Sequence, residues 1–569
     1  MSLSLALSRG LDIELLAAFA LLLTLAFALF RQLPFDASLH SAEKFGTRIA
    51  DSRWAYAILA FFPVFLRLCL LPILPIPVPG ISDEFSYLLA ADTFAHGRLT
   101  NPSTPLWPHF QTSNVNLVPT YMSKYPPAQG AVLAAGQLLG SPWIGVLFSI
   151  SALSIASFWM LKGWLPRRWA FLGALFLALR VGSLSYWANS YWGGAVPAIG
   201  GALILGAIPR LTKSSHRLHH HIDAALLALG LAILANSRPF EGLIFSIAVG
   251  VALFLTRSLT ESFPALRRCL SLAALAILAL TVAFMAYYNW RGTHNALVFP
   301  YTVNDKAYAC TPNFIWQKPM PPRDFQNGQL QSICKWEIQF WQQNRLDSVS
   351  HFTAHVASVL GKCAYFYLWP QFLPVIAVTP FLFRDPKIRF FGIILALCAA
   401  GMIPVVWSQP HYAAPLTTAL FLLLVQTLRH VNLWKYRGRP IGVSLVRTIV
   451  IFSVIMTGVY VVNAIRFPNL SSFVAPAGVW TTPGNRERAN LIQKLNASPG
   501  NDLVIVRYET VMWPANDWVY NLSDLSHGKV IWAREISHVD NDELLRAFPG
   551  YRIWLVEPAM YPVRITQIR

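Results

Sequence analysis

Apolar runs of about 15 to 25 residues recur along the chain, each near the ~20 residues that cross ~30 Å of hydrocarbon. About twelve can be counted: 15–30, 54–78, 142–161, 169–186, 192–209, 222–236, 241–256, 269–288, 364–383, 390–407, 413–428 and 441–462. Inside a bilayer, backbone amides find partners only within helices or closed barrels, so few folds are open to such a chain. Composition points the same way. Of 569 residues, 55% are hydrophobic and only 12% charged, with mean hydropathy +0.46. This reads as a polytopic α-helical membrane protein rather than a soluble globular one.

The net charge of +19 raises the question of a nucleic-acid partner, but the placement of the charge argues for a lipid bilayer instead. Basic residues cluster in alternate short loops. These hold Arg31, Lys44 and Arg48; Lys162, Arg167 and Arg168; Arg210, Lys213 and Arg217; Arg257, Arg267 and Arg268; Arg384, Lys387 and Arg389; and Arg429, Lys435, Arg437 and Arg439. By the positive-inside rule those loops face the cytoplasm. Segments 79–141 and 289–363, the turns near 187–191, 237–240 and 408–412, and the tail from Asn463 then face outward. The first apolar run has its basic flank after it and no small-residue cleavage site, which reads as a retained span. Three regions result: 1–52, an N-terminal helix and cytoplasmic loop; 53–462, a membrane core; and 463–569, a soluble-like tail.

In the tail, Arg486–Ala497 has helical apolar spacing, and 502–508, 529–534 and 551–557 read as strands, with a short helix over 540–548. The alternation predicts a small α/β domain with a partly parallel sheet. It has no glycine-rich phosphate loop. The six cysteines lack metal-ligand spacing. Cys310 and Cys334 share the long outer segment, where an oxidising compartment would allow a disulfide. The histidines at 216 and 219–221 read as a solvated loop rather than a metal site.

Chemistry should lie in the outward loops. Asp83-Glu84 follows directly on an apolar run. Charge at such a boundary either marks the end of a helix or serves a function. The same loop ends in Lys124-Tyr125-Pro126-Pro127, whose prolines fix the local backbone. A lysine held there could bind an anion such as a phosphate, or could simply snorkel to the interface. The turn Arg238-Pro-Phe-Glu241-Gly242 carries an Arg and a Glu that either pair with each other or face a shared cavity. A further turn holds His411-Tyr412-Ala-Ala-Pro415, and Arg67 and Arg180 lie inside spans near their outer ends, where both need partners.

Four of these patterns together resemble the GT-C class of membrane glycosyltransferases, including bacterial lipid A aminoarabinose transferases and protein O-mannosyltransferases. They are Asp83-Glu84-x-x-Tyr87-x-x-x-Ala91, Lys124-x-Pro-Pro, Arg238-Pro-x-Glu-Gly and His411-Tyr-x-x-Pro. The chain departs from the family's pattern at His411, where arginine is usual, and at Asn189-Ser190, where a second acidic residue is frequent. The resemblance implies a polyprenyl-phosphate-linked sugar donor, a glycan, lipid or protein acceptor, and transfer on the periplasmic face of a bacterial inner membrane. It implies Asp83 as catalytic base and Lys124, Arg238 and His411 as contacts to the donor phosphate, with Glu241, Tyr412, Arg67 and Arg180 in support. One base suffices because a polyprenyl phosphate leaves as a stabilised anion, unlike the alkoxide of glycoside hydrolysis, which must be protonated. A divalent ion could share the stabilisation of that anion, with Glu84 its ligand; no other cofactor is implied.

Two other classes fit the broad pattern. A secondary transporter or flippase of lipid-linked saccharides also has many spans, but such proteins often show two related halves, which are absent here. A non-catalytic membrane scaffold would not need the acid pair and Lys124. The charge asymmetry makes a direct prediction: tags after residues 215 and 435 report from the cytoplasm, and tags near 325 and at the C-terminus report from outside. A C-terminal tag accessible only from the cytoplasm would reverse this orientation.

Overall fold

The computed structural model describes residues 36–213, 217–256, 271–466, 484–508, 517–536, 541–560 and 562–568. The expected span 15–30, His216 and the basic loop with Arg257, Arg267 and Arg268 lie outside them. Six described helices are long and apolar enough to cross a membrane: Pro142–Trp164, Ala195–Thr212, Pro239–Thr256, Leu272–Thr293, Pro410–Asn432 and Ile441–Val459. The pair His40–Asp51 and Ala55–Cys69, bent by 112°, adds a seventh if it forms one span. Several of the remaining apolar runs form shorter pieces. The run 364–383 breaks after Tyr367 into a 3₁₀ turn and the short helix Leu373–Val378. Pro370, Pro374 and Pro380 explain the break, since each removes a backbone donor.

Seven helices carry the argument: α1 (Ala55–Cys69), α2 (Ser82–Ala95), α3 (Pro127–Leu138), α4 (Pro142–Trp164), α5 (Ala195–Lys213), α6 (Pro239–Thr256) and α7 (Gly328–Asn344). Between α2 and α3 lies a two-stranded antiparallel ribbon, β1 (Val115–Asn116) with β2 (Met122–Ser123). Helices α3 and α4 meet backbone to backbone. A Cβ on Gly136 would sit 2.2 Å from Gly145 N, and one on Gly145 would sit 2.1 Å from Val132 O. The same device seats the His411–Pro415 turn against α5, where a Cβ on Gly201 would lie 2.0 Å from Pro415 O. Small residues at such crossings let helices approach without a hydrophobic driving force.

The segment 289–363 is largely helical, with Pro300–Tyr308 followed by α7, and it contains the Cys310–Cys334 disulfide at a Cα separation of 5.3 Å. The pairing considered from compartment alone is thus made.

The tail contains α8 (Arg486–Ala497), β3 (Asp502–Val506), β4 (Val530–Arg534), α9 (Asn541–Ala547), β5 (Arg552–Glu557) and β6 (Arg564–Gln567). Sheet order is β4-β3-β5-β6, parallel except for β6. The helices and first three strands follow the sequence pattern. The short edge strand β6 has every residue exposed and so lacks the apolar alternation by which strands are read.

One face of this sheet is covered by the first outer loop. Leu503, Ile505, Ile531 and Ile553 share an apolar cluster with Leu89 of α2 and with Phe110, Val115, Leu117 and Tyr121. The polar seam is equally dense. Buried Asp92 accepts hydrogen bonds from Ser523 N at 2.9 Å, Ser523 Oγ at 2.5 Å and Gln137 Nε2 at 2.7 Å. Phe85 stacks on Tyr520 with centroids 4.2 Å apart, and the Arg488 guanidinium lies 4.7 Å from the rings of both Phe85 and Trp532. The tail and the loop therefore complete one core. Removing residues 484–568 should strip this cover, so that limited proteolysis cuts the 79–141 segment rapidly in the truncated chain and slowly in the full chain. Equal cutting rates would show that the loop folds without the tail.

Candidate active site

Asp83 and Glu84 occupy the first turn of α2, where unsatisfied helix amides favour negative charge. Their side chains diverge. Glu84 is fully buried, and its Oε2 accepts from Gly80 N at 2.8 Å and Ile81 N at 3.3 Å. Its Oε1 accepts from Tyr191 N at 3.2 Å. Glu84 thus reaches back over the helix start, as in a capping box, and at the same time ties in the 187–194 segment. Both oxygens accept from backbone amides, and among the described residues no group of three His, Cys, Asp or Glu side chains could hold a metal ion. No chemical step is routed through a metal.

Asp83 is half-buried and points the other way. The Tyr125 hydroxyl donates to its Oδ1, and Asn114 Nδ2 and Ser82 Oγ approach its Oδ2 at 3.4 Å each. The Tyr125 ring stacks on Tyr87 at 4.4 Å. Burial, with the nearby Asp83 charge adding to it, pushes the hydroxyls of Tyr87 and Tyr125 above the ordinary phenol range, so both keep their protons.

Three hydrogen bonds to backbone carbonyls bring the other predicted residues alongside. Ala128 N donates to Asn236 O at 2.9 Å, joining the start of α3 to the turn before α6. Gln129 Nε2 donates to Tyr191 O at 3.0 Å, on the residue whose amide Glu84 holds. Lys124 N donates to Asn114 O at 3.3 Å. Arg238 then lies 4.5 Å from the Tyr412 ring and 4.0 Å from Glu241, and its charge acts on the hydroxyls of Tyr87, Tyr412 and Tyr125. Arg238 and Glu241 therefore both pair and face the tyrosines around Asp83. Lys124 Nζ sits 5.4 Å from the Tyr125 ring and makes no hydrogen bond or close ion pair among the described residues.

The remaining predicted residues are placed elsewhere. His411 is buried, hydrogen-bonded through Nδ1 to Tyr186 at 2.8 Å and packed against Trp192 at 4.6 Å. Its Nδ1 is thus engaged inside the protein, on the turn that carries Tyr412. Arg67 donates to Asn189 Oδ1 at 2.6 Å and to the carbonyls of Leu74 and Pro75 at 2.8 and 2.9 Å. Asn189, at the position where an acidic residue is frequent in the resembled family, serves here as the acceptor for Arg67. Arg180 donates to the carbonyls of Phe366 and Tyr365 beside the broken helix. Both arginines brace backbone carbonyls.

Three residues near the site escaped the sequence reading. Tyr125 sat unremarked as the variable position of Lys-x-Pro-Pro. Asn114 has φ 63°, a left-handed conformation that no local motif announces. Glu337 of α7 accepts from Cys310 N at 3.2 Å; burial pushes its carboxyl up to about 7, against the Cys310 amide and the charge of Lys124.

No protein-family model matches this chain, and no curated protein matches it. Solved structures do. ArnT from Cupriavidus metallidurans bound to undecaprenyl phosphate aligns over 89% of this chain and 93% of its own, with TM-score 0.50 and 13% identity. The apo state of that protein aligns over 87% and 92%, with TM-score 0.48 and 14% identity. An Archaeoglobus fulgidus oligosaccharyltransferase tethered to an acceptor peptide aligns over 83% of this chain at TM-score 0.46 and 12% identity; this chain spans only 63% of its length.

Replacing Glu84 by alanine should leave the amides of Gly80, Ile81 and Tyr191 without their acceptor. Each such loss costs about 1–3 kcal/mol, so the thermal midpoint in detergent should fall by several degrees, while chelators leave the parent chain's midpoint unchanged. A chelator-sensitive parent would return Glu84 to metal binding. At this level of likeness the comparison establishes architecture alone, and the chain shares the fold of ArnT from Cupriavidus metallidurans.

Proposed function

We propose that the protein is a membrane glycosyltransferase that moves a sugar from a polyprenyl-phosphate donor to an acceptor hydroxyl, with inversion, on the periplasmic face of a bacterial inner membrane. The observation that carries this reading is the convergence of Asp83, Tyr125, Tyr87, Tyr412 and Arg238 on one cluster, with Lys124 one residue from Tyr125. The fold shared with a protein solved with undecaprenyl phosphate supports the donor class. In the same reading the shorter apolar helices join the long ones to give about twelve crossings, in line with the alternation of basic loops.

The chemistry needs no protonated leaving group. The acceptor oxygen bonds to the anomeric carbon as the bond from that carbon to the phosphate oxygen breaks. The acceptor proton passes to Asp83, and the electron pair remains on the lipid phosphate. Lys124 and Arg238 supply positive charge to that phosphate as it departs. Glu241 holds Arg238 in place, and Tyr412 lies beneath its guanidinium.

A panel of undecaprenyl-phosphate sugars offered to the purified protein with membrane extract tests the reading, and sugar transfer from one of them is the expected result. With that donor, Asp83→Asn should lower turnover by roughly 10²–10⁴-fold at nearly unchanged donor binding. Lys124→Ala should instead weaken undecaprenyl-phosphate binding by about tenfold or more. Near-normal turnover in folded Asp83→Asn would sink the base assignment.

A further inference from the structure

Asp83 cannot act as a directed base unless its carboxylate is held. A half-buried carboxylate on the first turn of a helix can still choose among rotamers, and hydrogen bonds select one of them. Two elements supply them. Tyr125 donates to Oδ1, and Asn114, anchored by its own 2.7 Å bond to Ser82 Oγ, approaches Oδ2.

Both donors are themselves constrained. Tyr125 precedes the Pro126-Pro127 pair that opens α3, its amide donates to Ser123 Oγ at 3.1 Å, and its ring is stacked on Tyr87. Asn114 sits at φ 63°, and its carbonyl accepts from Ser86 Oγ at 2.6 Å and from Lys124 N. Asparagine is one of the few side-chain-bearing residues that adopt this conformation readily, and here it turns the amide toward the first turn of α2.

We propose that Tyr125 and Asn114 are positioning residues for Asp83, and that the Lys124-Tyr125 pair couples the donor-phosphate contact to the aim of the base. The proposal rests on the glycosyltransferase reading above. Lys124 and Tyr125 are consecutive residues on one short segment, so a phosphate drawn to the Lys124 ammonium fixes the segment whose next hydroxyl holds Asp83. The proton transfer remains that of the acceptor hydroxyl to Asp83; Tyr125 keeps its own proton and supplies a hydrogen bond, with no other bond made or broken.

The test uses the full-length protein and the donor assigned by the panel. Tyr125→Phe preserves the ring stack and removes only the hydroxyl. It should lower kcat by roughly 10–100-fold, the usual cost of loosening a group that orients a reacting one. Donor KM and the affinity for undecaprenyl phosphate should stay within about twofold, and 3-fluorotyrosine at position 125, which restores a hydroxyl, should recover most of the loss. Asn114→Gly, which tolerates the same backbone conformation, should show the same split between kcat and KM to a smaller degree. A Tyr125→Phe protein with unchanged kcat, beside an inactive Asp83→Asn, overturns the positioning role and leaves the glycosyltransferase reading intact. Equal loss of lipid-phosphate affinity in Tyr125→Phe also overturns it, because the residue would then act in binding. An active Asp83→Asn removes the base itself, and the proposal with it.

Discussion

The carboxylate of Glu84 is the constraint on which the outer face depends. A buried charge needs compensation, and Glu84 obtains it from backbone amides at Gly80, Ile81 and Tyr191. Two of these define where α2 begins. The third fixes the 187–194 segment against that beginning, and Gln129 then reads the carbonyl of the same tyrosine. The start of α2, the start of α3 and the aromatic turn are thus locked together by one acidic side chain. The neighbouring Asp83 inherits a defined direction, since a helix sets successive side chains about 100° apart. Two adjacent acids therefore divide the work, one holding the scaffold and the other facing the tyrosines.

The intramembrane arginines follow a related logic. Arg67 and Arg180 both donate to carbonyls freed where helices end or break. Arg67 serves the irregular stretch after α1, and Arg180 serves the carbonyls at the end of the helix Val349–Tyr367. A guanidinium with several donors is suited to this, because an unsatisfied carbonyl in an apolar setting costs several kcal/mol. Charge placed near the membrane is here a means of completing backbone hydrogen bonding at discontinuities.

Much of the architecture was legible in the sequence, because its causes are local. Apolar run length located the long helices, and alternation located the three inner strands of the tail. The motifs with Asp83, Lys124, Arg238 and Tyr412 lie on segments that the fold does bring together. What was not legible depended on contacts between residues far apart in the chain. No pattern near Glu84 reveals that Tyr191 completes its shell, and no pattern near Asp92 reveals Ser523, 431 positions away. The enclosure of His411 by Tyr186 and Trp192 likewise belongs to tertiary packing. The motif shows the histidine, but the sequence carries no record of the rings around it. The run 364–383 breaks for a different reason: hydropathy measures its apolar length and is blind to the three prolines that interrupt its helix.

The core shared between the tail sheet and the first outer loop sets an order of assembly. Leu89, Phe110 and Tyr121 are made early in synthesis, whereas Leu503, Ile531 and Ile553, which cover them, are made much later. During translation the helix bearing Asp83 can form its caps, but its apolar flank stays open until the final strands arrive. A ribosome-bound or prematurely ended chain therefore cannot present a finished outer face. The closing of this face registers that synthesis has passed the tail strands, a dependence written into the fold by the distance along the chain between the two halves of one core.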